Sequence, residues 1–482
     1  MLGDPRRDGL LTLAVVLVVA ATRLLALPAS IWDQDEAVFA AAVLRFDPAH
    51  AQPHPPFFPL WIGIGGAVHH IASSLSPERA LQLLSLGFST WIVYPLTGFW
   101  SLVLPRRQAL VAALLFLFLP LPWLLSGRAY TEPAATALLL AGAACWLPAN
   151  ASVGRRVVGA VALAACALVR PHWALLVCAV VVWRLAAGPR RGVLSVIVSS
   201  IGVIWAGVLG WVAWVVGGWE SLSEIVRWHA AYQWTGLVEI DIPWGDLAIL
   251  TGVGGWVSGG VWVLLAASGA YFLLRQPTTR ASTAAMIATL LAPMLLILHL
   301  LHNPTLPRYA LLYLALSAGL VVAAMSRLCR RRTAVALAAV AMGLLAARTG
   351  PLLAAYRNEP APAVRAMNRV ARIASRERVH LVADPSLVSF VRLWEEADRW
   401  PAGMSHDFEL LPGRRAGAPG ARMVAAWDTE RTRWRATAGE CVVLACGEPR
   451  LCALASPRFG RVTVCVLDPE EEETAPPGSA GP

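Results

Sequence analysis

Three carboxylates, Asp33, Asp35 and Glu36, follow directly after the first hydrophobic segment of the chain. Acidic side chains next to a membrane are costly to hold there, so they mark a candidate functional site. Asp33 and Glu36, three residues apart, have the pattern of a capping box at the start of a helix, in which each has a structural role. The capping box gives no structural role to the Asp35 side chain. Because a positioned carboxylate can act as a general base, Asp35 is a candidate for that function. We therefore take Asp35 as the first catalytic candidate and Glu36 as the second.

A third candidate acid, Glu132, precedes Pro133 at the start of a later hydrophobic segment. It could instead stabilise a helix start, paired with Arg128 four residues earlier. The candidates for binding a phosphate or another part of a substrate are His54, Arg128, Arg170, His172, Arg308 and Tyr309. These residues could instead have structural roles. His54 could cap a turn, Arg170 could snorkel to the membrane surface, and Arg308 with Tyr309 could anchor a helix at the interface.

The elements that must position these residues are hydrophobic helices. The chain is 57% hydrophobic, and many of its uncharged runs are long enough to cross a bilayer core of about 30 Å. We predict an α-helical polytopic membrane protein with no nucleic-acid partner. All 40 basic residues are Arg, and none is Lys. An Arg here therefore cannot be assigned to phosphate recognition from its identity alone.

Arg pairs recur between the hydrophobic runs, and the positive-inside rule places them in the cytoplasm. The N-terminus is then cytoplasmic, and the acidic cluster, Glu132, Arg170 and Arg308 all lie on the extracytoplasmic side. This topology requires that residues 56–74 form a juxtamembrane or re-entrant segment and do not cross. It predicts about 11 transmembrane helices, at 9–27, 80–104, 108–126, 133–148, 157–169, 172–187, 192–217, 248–274, a ninth before residue 302, 309–325 and 333–347. The expected location is a bacterial cytoplasmic membrane.

Beyond residue 350 the charge density rises and the hydrophobic runs shorten. Strands are predicted at 379–385, 440–445 and 462–467, with a helix at 386–394. We expect a membrane-embedded catalytic module at 1–349, a small extracytoplasmic α/β domain at 350–467 and a disordered acidic tail at 468–482. Four cysteines of this domain could form two disulfides, with three pairings open: Cys441, Cys446, Cys452 and Cys465.

Residues 219–246 are rich in aromatic residues and are predicted to form a loop. This segment contains Trp219, Trp228, Trp234, Trp244, Tyr232 and His229. Such a composition is typical of an aromatic belt at the membrane interface. The alternative is a platform on which a sugar or an acceptor stacks.

Several short motifs together resemble the GT-C glycosyltransferases, in particular the family-39/ArnT-like class. The stronger ones are Asp35-Glu36-Ala37-x-x-Ala40, His54-Pro55-Pro56 and Ser126-x-Arg128-x-x-x-Glu132-Pro133, and the weaker ones are Arg170-Pro171 and Pro307-Arg308-Tyr309. The resemblance covers about residues 9–325. Where ArnT-like members have Glu-Lys-Pro, this chain has Gln52-Pro53-His54-Pro55-Pro56, without the lysine expected to meet the donor phosphate.

The resemblance implies a hexosyl- or pentosyltransferase with a polyprenyl-phosphate-linked sugar as donor. Asp35 would correspond to the acid of the first loop, acting as general base with inversion at the anomeric carbon, and Glu132 to the acid of the second loop. The acceptor, a glycan, lipid or protein, stays open. No metal-ligand set stands out, and a divalent cation also stays open. The main alternative is a transporter or lipid-linked-sugar flippase without transferase chemistry, which would carry charged or broken helices near the bilayer midplane.

Overall fold

The computed structural model is mostly helical, with one small sheet. It describes residues 5–148, 150–186, 191–238, 255–300, 307–384, 387–402, 404–407, 422–428, 440–447 and 461–466. The helices are α1 Pro5–Leu25, α2 Gln34–Leu44, α3 Pro59–Ile71, α4 Pro77–Trp91, α5 Val93–Trp100, α6 Arg106–Leu117, α7 Pro120–Leu125, α8 Glu132–Trp146, α9 Val153–Val169, α10 Ala174–Ala186, α11 Arg191–Val215, α12 Trp219–Val238, α13 Trp256–Arg275, α14 Pro277–Met286, α15 Ala292–Leu300, α16 Leu311–Leu328, α17 Arg331–Asn358, α18 Pro362–Ala374 and α19 Val388–Glu396. The strands are β1 Val379–Ala383, β2 Ser405–Asp407, β3 Arg422–Asp428, β4 Glu440–Ala445 and β5 Arg461–Val466.

The chain divides into two compact units. The first unit comprises Met1–Leu27 and Asp47–Leu353, and the second comprises Pro28–Phe46 and Ala354–Pro482. Residues 28–46 group with the C-terminal residues, whereas the sequence-based division at residue 350 placed them in the membrane module; the functional division of the chain stays a prediction. The segment that carries Asp35 is therefore part of the second unit.

Within the described residues, five helices are long and apolar enough to cross a membrane, or six if one bent pair counts as a span. They are Pro77–Trp100, Val257–Arg275, Pro277–Leu296, Pro307–Leu328 and Arg332–Ala374. Gly9–Leu25 and Pro171–Ala186 are shorter apolar helices. Each of these segments overlaps a predicted span, although Arg332–Ala374 extends well beyond the predicted span 333–347. The count of 11 and the orientation stay predictions.

Two proline-rich segments differ from an uninterrupted transmembrane helix. The predicted helix at 108–126 is broken between Leu117 and Pro120, because Pro120 and Pro122 cannot continue the hydrogen bonds of the preceding turn. The segment at 56–74 forms the helix Pro59–Ile71, which has 13 residues. At 1.5 Å per residue this helix is about 20 Å long, too short for a bilayer core of about 30 Å.

The loop prediction for residues 219–246 is wrong over residues 219–238. Helix α12, Trp219–Val238, follows α11 after a bend of 95°. Gly217 and Gly218 lie at the bend with φ of 90° and 130°, values that favour glycine over other residues. Residues 239–246, with Trp244, lie outside the described residues.

The second unit contains a five-stranded sheet in the order β2-β1-β3-β5-β4. Strand β1 is parallel to β2 and β3, and β5 is antiparallel to β3 and β4. The predictions of strands near 379, 440 and 462, and of the helix α19, are confirmed. A disulfide joins Cys441 to Cys465 on the paired strands β4 and β5, and Cys446 is disulfide-bonded as well.

Close helix packing in the first unit generates a prediction. A Cβ at Gly269 of α13 would lie 1.8 Å from the backbone oxygen of Leu320 in α16, whereas a Cβ at Gly260 of the same helix would meet nothing within 4 Å. Gly269→Ala is therefore expected to destabilise the protein by about 1–3 kcal/mol, because the clashing atom belongs to the backbone. Gly260→Ala is the matched control and should keep or slightly raise the midpoint of thermal unfolding in detergent. Equal midpoints for the two variants would contradict this packing.

Candidate functional site

Three elements of the first unit bring Glu132, Arg170 and Arg308 together. Glu132 begins α8, followed by Pro133, whose fixed φ suits the first turn of a helix. Arg170 ends α9 at the turn Pro171–Trp173, and Arg308 lies in the turn Pro307–Ala310 before α16. Helix α8 packs against both α9 and α16, so the three side chains converge.

Glu132 is the carboxylate at the centre of this group. Its Oε1 lies 3.0 Å from Nη1 of Arg170 and 3.7 Å from Nε of Arg308. Nη1 of Arg170 also donates a hydrogen bond of 2.6 Å to the hydroxyl of Thr131, and that hydroxyl donates to Oε2 of Glu132 at 3.4 Å. One carboxylate thus pairs with two guanidinium groups from distant parts of the chain.

Two tyrosine rings contact the guanidinium groups of the three arginines. The guanidinium groups of Arg128 and Arg308 lie 4.5 Å and 5.0 Å from the centroid of the Tyr130 ring. Arg128 also donates a hydrogen bond of 2.9 Å to the Tyr130 hydroxyl. The ring of Tyr309 lies 5.0 Å from Arg308 and 5.6 Å from Arg170. Arginine stacks readily on aromatic faces, so the rings hold the three cations in fixed orientations.

The group carries more positive than negative charge. Arg128, Glu132 and Arg170 are 1%, 2% and 4% exposed, and the side chain of Arg308 is 10% exposed. Nε of Arg170 is buried and has no hydrogen-bond partner among the described residues. Glu132 pairs with Arg170 and Arg308, and Arg128 lies beside them against the ring of Tyr130, in an environment where burying charge is costly. We name Arg128, Arg170 and Arg308 with Glu132 the arginine cluster; its chemistry is suited to an anion with several oxygen acceptors, such as a phosphate.

Two predicted histidines have different surroundings. His54 stacks on His229 of α12, with ring centroids 5.2 Å apart, and meets Phe58 edge-on at 5.6 Å. Phe57 and Phe58 have φ of 75° and 47°, and such strained backbone is found preferentially at functional sites. His172 follows Arg170 in the turn Pro171–Trp173 and is half-buried.

The first acidic cluster lies in the second unit and forms the expected capping box. The Asp33 carboxylate accepts a hydrogen bond of 3.0 Å from the backbone N–H of Asp35. Oε2 of Glu36 accepts from the backbone N–H groups of Trp32 and Asp33, at 2.8 and 3.1 Å. Glu36 is fully buried, and Asp35 is half-buried in the first turn of α2. The geometry therefore gives Asp33 and Glu36 structural roles, and the box uses only the backbone of Asp35.

In the structure α2 packs against α19, and its Phe39 is buried. Arg45, which caps the C-terminus of α2, lies 3.5 Å from Glu396 of α19. The apolar residues of α2 thus help to form the core of the second unit.

Sequence reasoning missed three residues around the arginine cluster, Tyr130, Thr131 and Trp173, and it named His229 only as part of the aromatic segment, without its contact with His54. Tyr130 and Thr131 lie between the candidates Arg128 and Glu132 in sequence, which was the available signal.

Sequence reasoning also missed Arg23. This residue is 1% exposed, donates to the backbone oxygen of Leu117 and lies 4.6 Å from the Trp123 ring centroid. Arg23 thereby braces the break between α6 and α7. An Arg at the end of a predicted span was the signal for it.

In the part of the chain that the structure describes, no group of three or more His, Cys, Asp or Glu side chains is placed to hold a metal ion.

No protein-family model matches the chain, and no curated protein matches its sequence. Solved structures do match its fold.

The crystal structure of ArnT from Cupriavidus metallidurans in the apo state has 14% identity and a TM-score of 0.51, over 95% of this chain and 97% of that one. The same protein bound to undecaprenyl phosphate has 15% identity and a TM-score of 0.51, over 96% and 98% of the two chains. The Archaeoglobus fulgidus oligosaccharyltransferase tethered to an acceptor peptide has 12% identity and a TM-score of 0.53, over 87% of this chain and 69% of that one. The chain therefore has the GT-C glycosyltransferase fold.

The buried pairing of Glu132 leads to a stability prediction. Glu132→Gln leaves the guanidinium groups of Arg170 and Arg308 without their carboxylate, and it should cost about 3–5 kcal/mol, the usual loss when one partner of a buried pair is removed. Thermal unfolding of the purified protein in detergent measures the change. Glu396→Gln, which removes the carboxylate from the more exposed pair with Arg45, is the control and should cost about 1 kcal/mol or less. Similar losses in both variants would show that the Glu132 pairs contribute no more than a surface ion pair.

Proposed function

We propose that this protein is an integral-membrane glycosyltransferase that moves a sugar from a polyprenyl-phosphate carrier to an acceptor on the extracytoplasmic side of a bacterial cytoplasmic membrane. The observation that carries the proposal is the arginine cluster in a chain with the GT-C fold: Arg170 and Arg308 pair with Glu132, and the ring of Tyr130 contacts Arg308 and Arg128. A site of this charge is suited to a lipid phosphate. The match to ArnT bound to undecaprenyl phosphate supports the same ligand class.

The arginine cluster would stabilise the leaving group. When a sugar leaves a polyprenyl phosphate, negative charge grows on the phosphate oxygens, and fixed cations stabilise that charge most when they need no reorganisation. Tyr130 and Tyr309 hold the guanidinium groups in place before any substrate arrives. Glu132 would act as a positioning residue, because its carboxylate lies between Arg170 and Arg308.

Asp35 is our candidate for the general base that takes the proton of the acceptor hydroxyl, with inversion at the anomeric carbon. A phosphate is already a good leaving group, so proton removal from the acceptor is the step that needs a catalytic side chain. The capping box supports this choice within the acidic cluster, because it engages the carboxylates of Asp33 and Glu36 and only the N–H of Asp35.

Replacing the proposed base should reduce turnover while binding is kept. Asp35→Asn is expected to lower the rate of sugar transfer by about 10²–10⁴-fold, the usual contribution of a general base. The assay uses purified protein and radiolabelled polyprenyl-phosphate sugars, with donor binding and thermal unfolding measured in parallel. Asp47→Asn is the control, because Asp47 pairs with the exposed His50 and should leave transfer unchanged.

A folded Asp35→Asn protein with normal turnover would exclude Asp35 as the base. If the unsubstituted protein binds the carrier lipid and translocates it across vesicles without any transfer, the transporter alternative replaces the glycosyltransferase.

Replacing a cluster arginine should weaken binding of the carrier lipid. Arg308→Gln removes the least buried guanidinium of the cluster and is expected to raise the Kd for undecaprenyl phosphate by about 10–100-fold, the loss of one charged hydrogen bond at 1.5–3 kcal/mol. Arg227→Gln is the control, because Arg227 is exposed and bonds only locally to Ser223 in the described structure. An unchanged Kd in a folded Arg308→Gln protein would show that the lipid phosphate does not bind at the arginine cluster.

A further inference from the structure

A buried arginine at the end of α1 contacts both sides of the break between α6 and α7. Arg23 lies in the last turn of α1, one of the shorter apolar helices, and it is 1% exposed. Its guanidinium donates to the backbone oxygen of Leu117, the last residue of α6, and lies 4.6 Å from the centroid of the Trp123 ring in α7. An arginine within a hydrophobic helix is costly to hold there, so it marks a functional position by default.

The contact with Leu117 meets a requirement of the break itself. Helix α6 ends at Leu117 and α7 begins at Pro120, so the regular hydrogen bonds of a helix do not continue through this point. A membrane offers no water to a backbone oxygen at such a break, and a side chain from a neighbouring helix can supply the hydrogen bond instead. Arg23 supplies it and also contacts Trp123 on the far side of the break. Helix α7 is therefore tied to α1 as well as to α6.

Helix α7 in turn holds the segment that leads to Arg128. The hydroxyl of Ser126 donates to the backbone oxygen of Trp123 at 2.7 Å, and the N–H of Arg128 donates to the backbone oxygen of Leu125 at 3.2 Å. Ser126 and Arg128 are 2% and 1% exposed, so this segment is enclosed by closely packed protein. The position of Arg128 in the arginine cluster thus depends on the position of α7.

Arg308 depends on the same helix. Helix α7 packs against the turn Pro307–Ala310, which carries Arg308. Arg128 and Arg308 also contact one ring, that of Tyr130, at 4.5 and 5.0 Å from its centroid. Two of the three arginines of the cluster are therefore supported by α7, although they come from distant parts of the chain. A displacement of α7 would move both of them.

We propose that Arg23 is a positioning residue for the proposed donor site. By holding the oxygen of Leu117 and the ring of Trp123, it fixes α7 in the place that presents Arg128 and Arg308 to the phosphate of the carrier lipid. In this role Arg23 does not touch the phosphate and acts through α7. The inference rests on the proposed function, because it requires that the lipid phosphate binds at the arginine cluster.

The test measures binding of undecaprenyl phosphate to the purified full-length protein in detergent. Arg23→Met keeps an unbranched apolar side chain but removes the donor to Leu117. Because a displacement of about 1 Å that starts far from a site can cost it up to about 10²-fold in function, we expect the Kd to rise by about 10-fold. The midpoint of thermal unfolding is measured in parallel.

Trp146→Phe is the matched control. The indole of Trp146 is fully buried and donates to the backbone oxygen of Arg156 at 2.7 Å, so it joins α8 to α9. Like Arg23, it bonds a backbone oxygen of another helix, but it does so at the end of α8 opposite to Glu132. This variant should lower the unfolding midpoint and leave the Kd unchanged.

A double-mutant cycle with Arg308→Gln tests whether Arg23 acts through the cluster. If the two residues were independent, the Kd changes of the single variants would multiply in the double variant. Because α7 positions Arg308, part of the effect of Arg23→Met should already be lost in Arg308→Gln. The change in the double variant should therefore fall short of the product by about threefold or more, whereas a merely structural role of Arg23 would give the full product.

Three results would overturn the inference and leave the proposed function in place: an unchanged Kd in a folded Arg23→Met protein, an equal rise in Trp146→Phe, or the full product in the cycle. An unchanged Kd in Arg308→Gln would overturn both, because the phosphate would then not bind at the cluster.

If Arg23→Met does not fold, Ser126→Ala replaces it, because it removes the bond between α7 and the segment before Arg128. A Kd raised by about 2–10-fold, the loss of one neutral hydrogen bond, supports the route through α7 on which the inference depends. An unchanged Kd in this variant refutes that route.

Discussion

The pairing of one carboxylate with two guanidinium groups is the constraint on which the first unit depends. Burying an ion costs several kcal/mol, so Glu132, Arg170 and Arg308 cannot separate without leaving an uncompensated charge inside the protein. These residues begin α8, end α9 and precede α16, and their pairing therefore fixes the relative positions of three helices that are distant in sequence.

The sequence predicted those parts of the fold that local patterns determine. The capping box of Asp33 and Glu36 and the strands of the second unit follow from short-range spacing, and both are present. The break at residues 117–120 was missed because a hydropathy pattern continues through apolar prolines. Helix α12 was missed because its aromatic residues suggested a membrane interface instead of helical periodicity. The sequence also named the arginines of the cluster, but the rings of Tyr130 and Tyr309 that orient them depend on contacts between distant segments.

The membership of residues 28–46 in the second unit depends on such distant contacts. The N–H of Ala361 donates to the hydroxyl of Ser30 at 2.9 Å, and the rings of Trp32 and Tyr356 are 5.4 Å apart. Each pairs residues more than 300 positions apart, which no local pattern reveals. These contacts lie directly before α2, and Arg45 with Glu396 holds its other end. Because α2 is fixed at both ends, the C-terminal residues determine how Asp35 is presented, although they carry no recognised sequence signature. The C-terminal residues therefore hold in place the helix that carries the proposed catalytic acid.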